Sequence, residues 1–503
     1  MLAADSRFLV GVWDISLPWA NSRFRNYYWA WRHGDCNHGG RSAFGSGQFW
    51  GTGGDSVEFF TGYIMVGVSK LVKAGLLVGA SLAAIGIQAN AAAESLFTRD
   101  RNVSVNERPR EGYEPTGIRL GSFIVRPKVD LTIATTDNVF AVTRDVSPQF
   151  GERADTYVIL RPSFMTESDW NRHSLRFGAY AEGYQHDEFA AENVFNSGVF
   201  LDGRVDVTRE FSFIGGGSYD RLNEARKATS VVATPSEPIE YDFAQAYLGT
   251  LHEWGRFRAR SRVEVRDYDF KDARLIGGGT QDQQFRDRAE VNYLGEVGFA
   301  MTKDSAVFAR LGYNTRNYNG LDPNGLNRDS DGWNIQTGVD FDITRLARGA
   351  IAVGYMEQDY DDPGLDKVSG VSVDAGLEWF PTEMTTLSLS ASRDVRESAL
   401  FNTGGYTASE AIIRIDHELA RNIVGYVSAG IGRDAYEDIA RTDDRYGGAV
   451  GIKWWINQML SAKAEYVYEN NETDQDPALQ GQPGFFGKDY ETNEFFITLT
   501  AER

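Results

Sequence analysis

Residues 256–270 read RFRARSRVEVRDYDF, and the fold turns on the order of those letters. Phe257, Ala259, Val263 and Val265 alternate with Arg256, Arg258, Arg260, Arg262, Glu264 and Arg266. A period of two sends neighbouring side chains to opposite faces of an extended strand, so one face is apolar and the other strongly charged. The same division recurs in both directions. Upstream, Phe123, Val125, Val129, Leu131 and Ile133 interleave with Arg126, Lys128, Asp130 and Thr132. Downstream, Trp333, Ile335, Val339, Phe341 and Ile343 interleave with Asn334, Gln336, Asp340 and Asp342. Helical periodicity is nearly absent after Phe123.

About eighteen such segments follow one another (range 16–18), each near the roughly 9–11 residues that a tilted membrane-crossing strand needs. Tight connections centre on Asp169-Trp170-Asn171, Arg209-Glu210, Trp254-Gly255, Lys303-Asp304, Arg345-Leu346, Thr382-Glu383, Ala420-Arg421 and Asn457-Gln458. Between them come longer polar stretches, such as Asn223 to Pro238, Lys271 to Gln283, Asn319 to Asp329 and Asn470 to Lys488. Strict alternation of short and long connections is the signature of an outer-membrane barrel, with short periplasmic turns and longer extracellular loops. The fold class expected is all-β, a transmembrane antiparallel β-barrel. Both mature termini then lie in the periplasm, and closure removes the sheet edges.

Trp and Tyr favour bilayer interfaces. Trp170, Trp254, Trp379, Trp454 and Trp455 fall beside tight turns, and Tyr184, Tyr219, Tyr268, Tyr318, Tyr360, Tyr436 and Tyr468 beside long loops. Two girdles are expected. The last strand, through Phe495, Ile497, Leu499 and Ala501, is amphipathic but ends on Arg503 rather than on an aromatic residue.

Ahead of the barrel, residues 65–91 read as a cleaved signal peptide. Lys70 and Lys73 precede an apolar run from Ala74 to Ile87, then Ala89-Asn90-Ala91; the run is too short to span a bilayer comfortably. Residues 1–64 lack a coherent period and carry five scattered Trp. They are either the product of a start-site error or an unusual N-terminal extension. Residues 92–116 form a periplasmic N-terminal segment and 117–503 the barrel. Without residues 1–91 the net charge moves from −20 to −22, and the only cysteine, Cys36, is gone. That acidic balance argues against nucleic acid as a partner, because phosphate tracking needs clustered Lys and Arg.

The stretch GIRLGSFIVRPKVDLTIATTDNVF (117–140) resembles the opening of the proteobacterial outer-membrane beta-barrel porin family, of the "putative beta-barrel porin 2" type. DVTREFSFIGGGSYD (206–220) and RVEVRDYDF (262–270) have the same character. The resemblance covers about Gly117 to Arg503 and implies an outer-membrane porin-like barrel, of a kind often associated with exopolysaccharide production. It supplies no catalytic residues.

With apolar positions toward lipid, the alternate positions line a lumen. Solute-contacting candidates are Arg126, Lys128, Arg256, Arg258, Arg260, Arg262, Arg266, Arg288 and Arg310. Guanidinium forks that stay charged suit anions such as uronate or phosphate groups. The competing expectation is that Glu264, Glu290 and Glu296 pair with them and fill the interior. The acidic stretches 357–366, 433–444 and 469–476 are either solvated loop faces or bridges to divalent ions and lipid headgroups. No metal-binding His pair and no Gly-x-Ser-x-Gly elbow occurs; no cofactor and no metal is expected. His186 with Asp187 and Glu188 is the one candidate for a rim hydrolase.

The expected function is passive passage across the outer membrane of exopolysaccharide or other anionic saccharides, without enzymatic activity. A non-conducting structural or surface-interaction barrel is the alternative. Expected partners are outer-membrane lipid and lipopolysaccharide, the barrel-assembly machinery and periplasmic polysaccharide-export components.

Overall fold

The computed structural model describes residues 103–143, 151–228, 235–275, 278–343, 346–476 and 488–503. The start-site and signal-peptide expectations for residues 1–91 lie outside them. The chain divides into two units, residues 1–61 and 62–503, and the second holds everything described below.

Eighteen long antiparallel strands follow in order: β1 (Phe123–Thr136), β2 (Asp155–Ser168), β3 (Ser174–His186), β4 (Phe195–Asp206), β5 (Phe211–Asn223) and β6 (Glu240–Trp254). Next come β7 (Phe257–Phe270), β8 (Arg288–Ala300), β9 (Ser305–Tyr318), β10 (Ser330–Ile343), β11 (Ala347–Tyr360) and β12 (Val368–Thr382). The set ends with β13 (Thr385–Glu397), β14 (Gly405–Ala420), β15 (Ile423–Tyr436), β16 (Arg441–Trp455), β17 (Leu460–Gln475) and β18 (Tyr490–Glu502). Each strand pairs with its neighbours in sequence, and β1 pairs with β18 from Lys128↔Glu502 to Thr136↔Glu494. The wall is therefore a closed 18-stranded antiparallel barrel. A short strand, Ile118–Leu120, folds back on Phe123–Val125 and continues the wall beyond the end of β18.

Eight connections are tight turns of two to five residues and eight of the nine others are longer, as the sequence predicts; the exception is the four-residue connection between β15 and β16. In the two-residue turn between β6 and β7, Gly255 sits at φ 62°, which costs a residue without Cβ little. The strands, at 12–16 residues, are longer than the span expected from bilayer thickness, so they project beyond it. The acidic stretches 433–444 and 469–476, expected as loops, are mostly strand: only residues 437–440 lie outside β15 and β16, and only residue 476 lies outside β17.

The faces are inverted relative to a water-soluble protein. Val129, Leu131, Ile133, Val263, Val265, Leu311, Ile335, Val427, Ile431 and Leu499 are exposed on the outside. Glu264, Glu290, Glu296, Gln336, Asp340, Asp416, Asp434 and Glu465 are buried on the inside. Such a wall is stable only with hydrocarbon around it and water or paired charge within it.

Trp170, Trp254, Trp379 and Trp454 are exposed at the tight-turn end, as a girdle requires. Trp455 departs from the expectation. It follows Trp454, so strand alternation turns it inward, where Arg110 and Lys453 lie over its ring at 4.4 and 4.5 Å. At the other end five of the seven expected tyrosines also face inward: Tyr184 bonds Glu182, Tyr268 and Tyr318 lie against Arg288, and Tyr360 and Tyr436 are buried in loop-side clusters. Tyr293, Tyr313, Tyr355, Tyr446 and Tyr466 are the exposed ones on the outer face.

Candidate functional site

Even-numbered residues of β7 face the lumen, which places Arg258, Arg260, Arg262, Glu264 and Arg266 in one column. Register then brings β8 alongside, setting Arg260 opposite Glu296 and Arg266 opposite Glu290. Nearly every guanidinium finds a carboxylate. Arg258 pairs with Glu253 at 3.1 Å, Arg260 with Glu296 at 3.6 Å, and Arg266 with Glu264 at 2.6 Å. Arg262 also pairs with Glu264. Arg288 meets Glu290 at 2.8 Å, and Arg310 is held between Glu296 at 2.6 Å and Asp374 at 2.8 Å. On β1, Arg126 pairs with Glu167 of β2, and Lys128 with Asp130 at 2.8 Å. Arg256 is the exception among the candidates: it stands in the β6–β7 turn, outside the lumen wall, because the strand ends at Trp254.

These pairs are not symmetric toward water. The Arg262 side chain is 33% exposed and that of Arg266 39%, whereas their shared Glu264 is 7% exposed. The same order holds for Arg396 against Glu410, Arg414 against Asp416 and Lys463 against Glu465. The carboxylates are tucked against the wall and the cations stand over them, so a wall with matched charge still presents mainly cations to the lumen. Arg126–Glu167, Arg258–Glu253, Arg310–Asp374 and Arg396–Asp394 run the other way.

Sequence reasoning missed a second network on β14–β16, because its members read as an acidic loop. Asp434 and Asp443 are fully buried; Arg445 reaches Asp434 and, at 3.1 Å, Glu410, while Arg441 lies 3.1 Å from Asp443. The signal was present in the alternation of Arg441, Asp443 and Arg445, three charges of alternating sign at strand spacing.

Both mouths carry chain. At the loop end, Lys227 of the β5–β6 connection reaches Glu469 of β17 at 2.6 Å and Glu494 of β18. Burial disfavours its charge, but the two carboxylates outweigh this and raise its pKa. Arg226 binds Glu192 at 2.6 Å and Arg286 binds Glu224 at 2.6 Å. Buried Arg328 donates to the carbonyls of Ser398 at 2.6 Å and Phe285 at 2.8 Å. At the tight-turn end the segment 103–117 lies across the inner wall. Val105 N–H donates to Thr386 Oγ1 at 2.9 Å; Arg110 donates to the carbonyls of Arg421 at 2.9 Å and Val105 at 2.7 Å; Arg108 pairs with Glu418 at 3.0 Å.

His186 is buried near the loop end. Its partner is Asp155, at 2.9 Å from Nδ1, not the adjacent Asp187 or Glu188, and its ring stacks on Tyr157 at 4.6 Å.

A closed barrel with an apolar outside, a charged inside and tight turns at one end is a porin-like outer-membrane barrel. The family described as "putative beta-barrel porin 2" matches residues 110–503, and the chain belongs to it. No curated protein matches. Among solved structures, the chain is similar to the ferric enterobactin receptor of Pseudomonas aeruginosa in complex with enterobactin (9% identity, TM-score 0.41, 75% of this chain and 81% of that one). It is likewise similar to the siderophore receptor PirA of Acinetobacter baumannii (7%, 0.40, 75% and 80%) and to the FrpB iron transporter of Neisseria meningitidis (8%, 0.40, 75% and 81%).

Proposed function

We propose that the lumen is a passive path for anionic saccharides, uronate- or phosphate-bearing chains of the exopolysaccharide kind. The observation that carries this reading is the asymmetry of the wall's ion pairs, with cations exposed over buried carboxylates. A passing carboxylate meets guanidinium forks that are already oriented by their partners, at little cost in side-chain entropy. Matched charge keeps each contact weak enough to release, which conduction requires.

Planar-bilayer recording of the full barrel tests the reading. Anion-selective current blocked by oligouronate is expected, and Arg262→Ala with Arg266→Ala should shift selectivity toward cations. An intact barrel that carries no current, or one whose selectivity ignores both arginines, would overturn it. The chain held in both mouths favours a second reading, a closed structural barrel, in which the same double variant lowers stability and leaves an absent conductance absent.

A further inference from the structure

On the outer face of β6–β9, near the tight-turn end, the bulky apolar residues give way to small ones. Register sets Thr250, Ser261 and Gly295 side by side and then Leu311, with His252, Ala259, Val297 and Ala309 as the row one step nearer the turns, so that Val297 and Leu311 wall the small residues. The result is a groove of about 610 Å³, within the range of roughly 300–1,000 Å³ usual for small-molecule sites. Thr250 Oγ1 and Ser261 Oγ hydrogen-bond each other at 2.8 Å, so the floor presents methyl and methylene groups. A Cβ at Gly295 would meet no atom within 4 Å, so no neighbouring side chain occupies the groove there.

Toward the turns the groove ends on rings. His252 and Trp254 are 4.7 Å apart, and Trp254 stacks on Phe257 at 5.8 Å. Beyond them stands Arg256, in an exposed turn. The adjoining turn, tied on by the Glu253 N–H to the Glu210 carbonyl at 2.7 Å, carries Arg209 beside Glu210. Among the described residues neither arginine forms an ion pair.

Apolar groove, ring belt and cation follow one another in the order acyl chain, glycerol ester and phosphate. We propose that this groove holds one acyl chain of a glycerophospholipid whose phosphate is met by Arg256. The groove is continuous with the lipid-facing band, and the terminal cation complements the phosphate. Phospholipid rather than lipid A follows from reading the tight turns as periplasmic. The proposal concerns the outside of the wall and stands apart from what the lumen conducts.

The test is lipid retention by the full chain, purified in detergent, stripped, and exchanged with vesicles of phosphatidylglycerol or with lipid A. Intact mass spectrometry should show one phosphatidylglycerol per barrel. Gly295→Leu, which fills open space, and Arg256→Glu, in a turn, should each cut retention at least about tenfold, with heat-modifiable gel mobility unchanged. Retention undiminished in Arg256→Glu overturns the phosphate contact. Undiminished retention in a folded Gly295→Leu barrel, retention of lipid A alone, or a change of oligomeric state in Gly295→Leu overturns the groove assignment. If Gly295→Leu does not fold, the charge-reversal variant alone decides.

Discussion

Glu296 holds two arginines of adjacent strands, Arg260 and Arg310, with its own side chain 1% exposed. Glu296→Ala therefore leaves buried guanidinium charge with less compensation and should cost about 3–5 kcal/mol, read from unfolding in detergent. Asp287, just before β8, shows the opposite sign of effect. Burial pushes its carboxyl up to about 6, although its Oδ1 accepts the Phe270 N–H at 2.7 Å. Because the folded chain favours the protonated form, the contribution is full below about pH 4 and is lost as pH rises through about 6. Stability against unfolding in detergent should fall across that window, and should fall less in Asp287→Asn, which cannot ionise. A flat profile in the unaltered protein would refute this.

At the scale of strands, much was legible and the reasons are local. Alternation in RFRARSRVEVRDYDF gives both faces of β7, and the Trp254-Gly255 signal gives the turn that starts it. What depends on register was not legible. Arg260 and Glu296 are 36 positions apart in the chain, so their meeting follows only from the pairing of β7 with β8. Parity at strand ends was also hidden: Tyr360 and Tyr436 sit beside loops, yet a single step in the alternation decides between lipid and lumen. The seam offers an element-scale test. Thr132 of β1 and Thr498 of β18 are directly opposite, their hydroxyls 2.8 Å apart. Thr132→Cys with Thr498→Cys, in a Cys36→Ser background, should form a disulfide and stabilise the barrel by about 2–4 kcal/mol against unfolding. Non-reducing gels and melting curves with and without reductant check it; no crosslink would contradict the register.

At the scale of the molecule, the barrel is a wall with material at both ends. The segment 103–117 was expected in the periplasm but not against the inner wall, since Val105 and Thr386 are 281 residues apart and share no local pattern. Its contacts are few and polar compared with a strand ladder. Removing residues 103–116 should leave the barrel folded and raise single-channel conductance about twofold or more; unchanged conductance would mean that the passage is limited elsewhere. The closure of β1 on β18 has a further consequence. Every strand is held by ladders on both sides, so a protease that cuts one outward connection severs the backbone without opening the wall. The two pieces remain joined along the cut hairpin and along the seam, and a gene split at such a loop could supply the barrel as two polypeptides that find each other during folding.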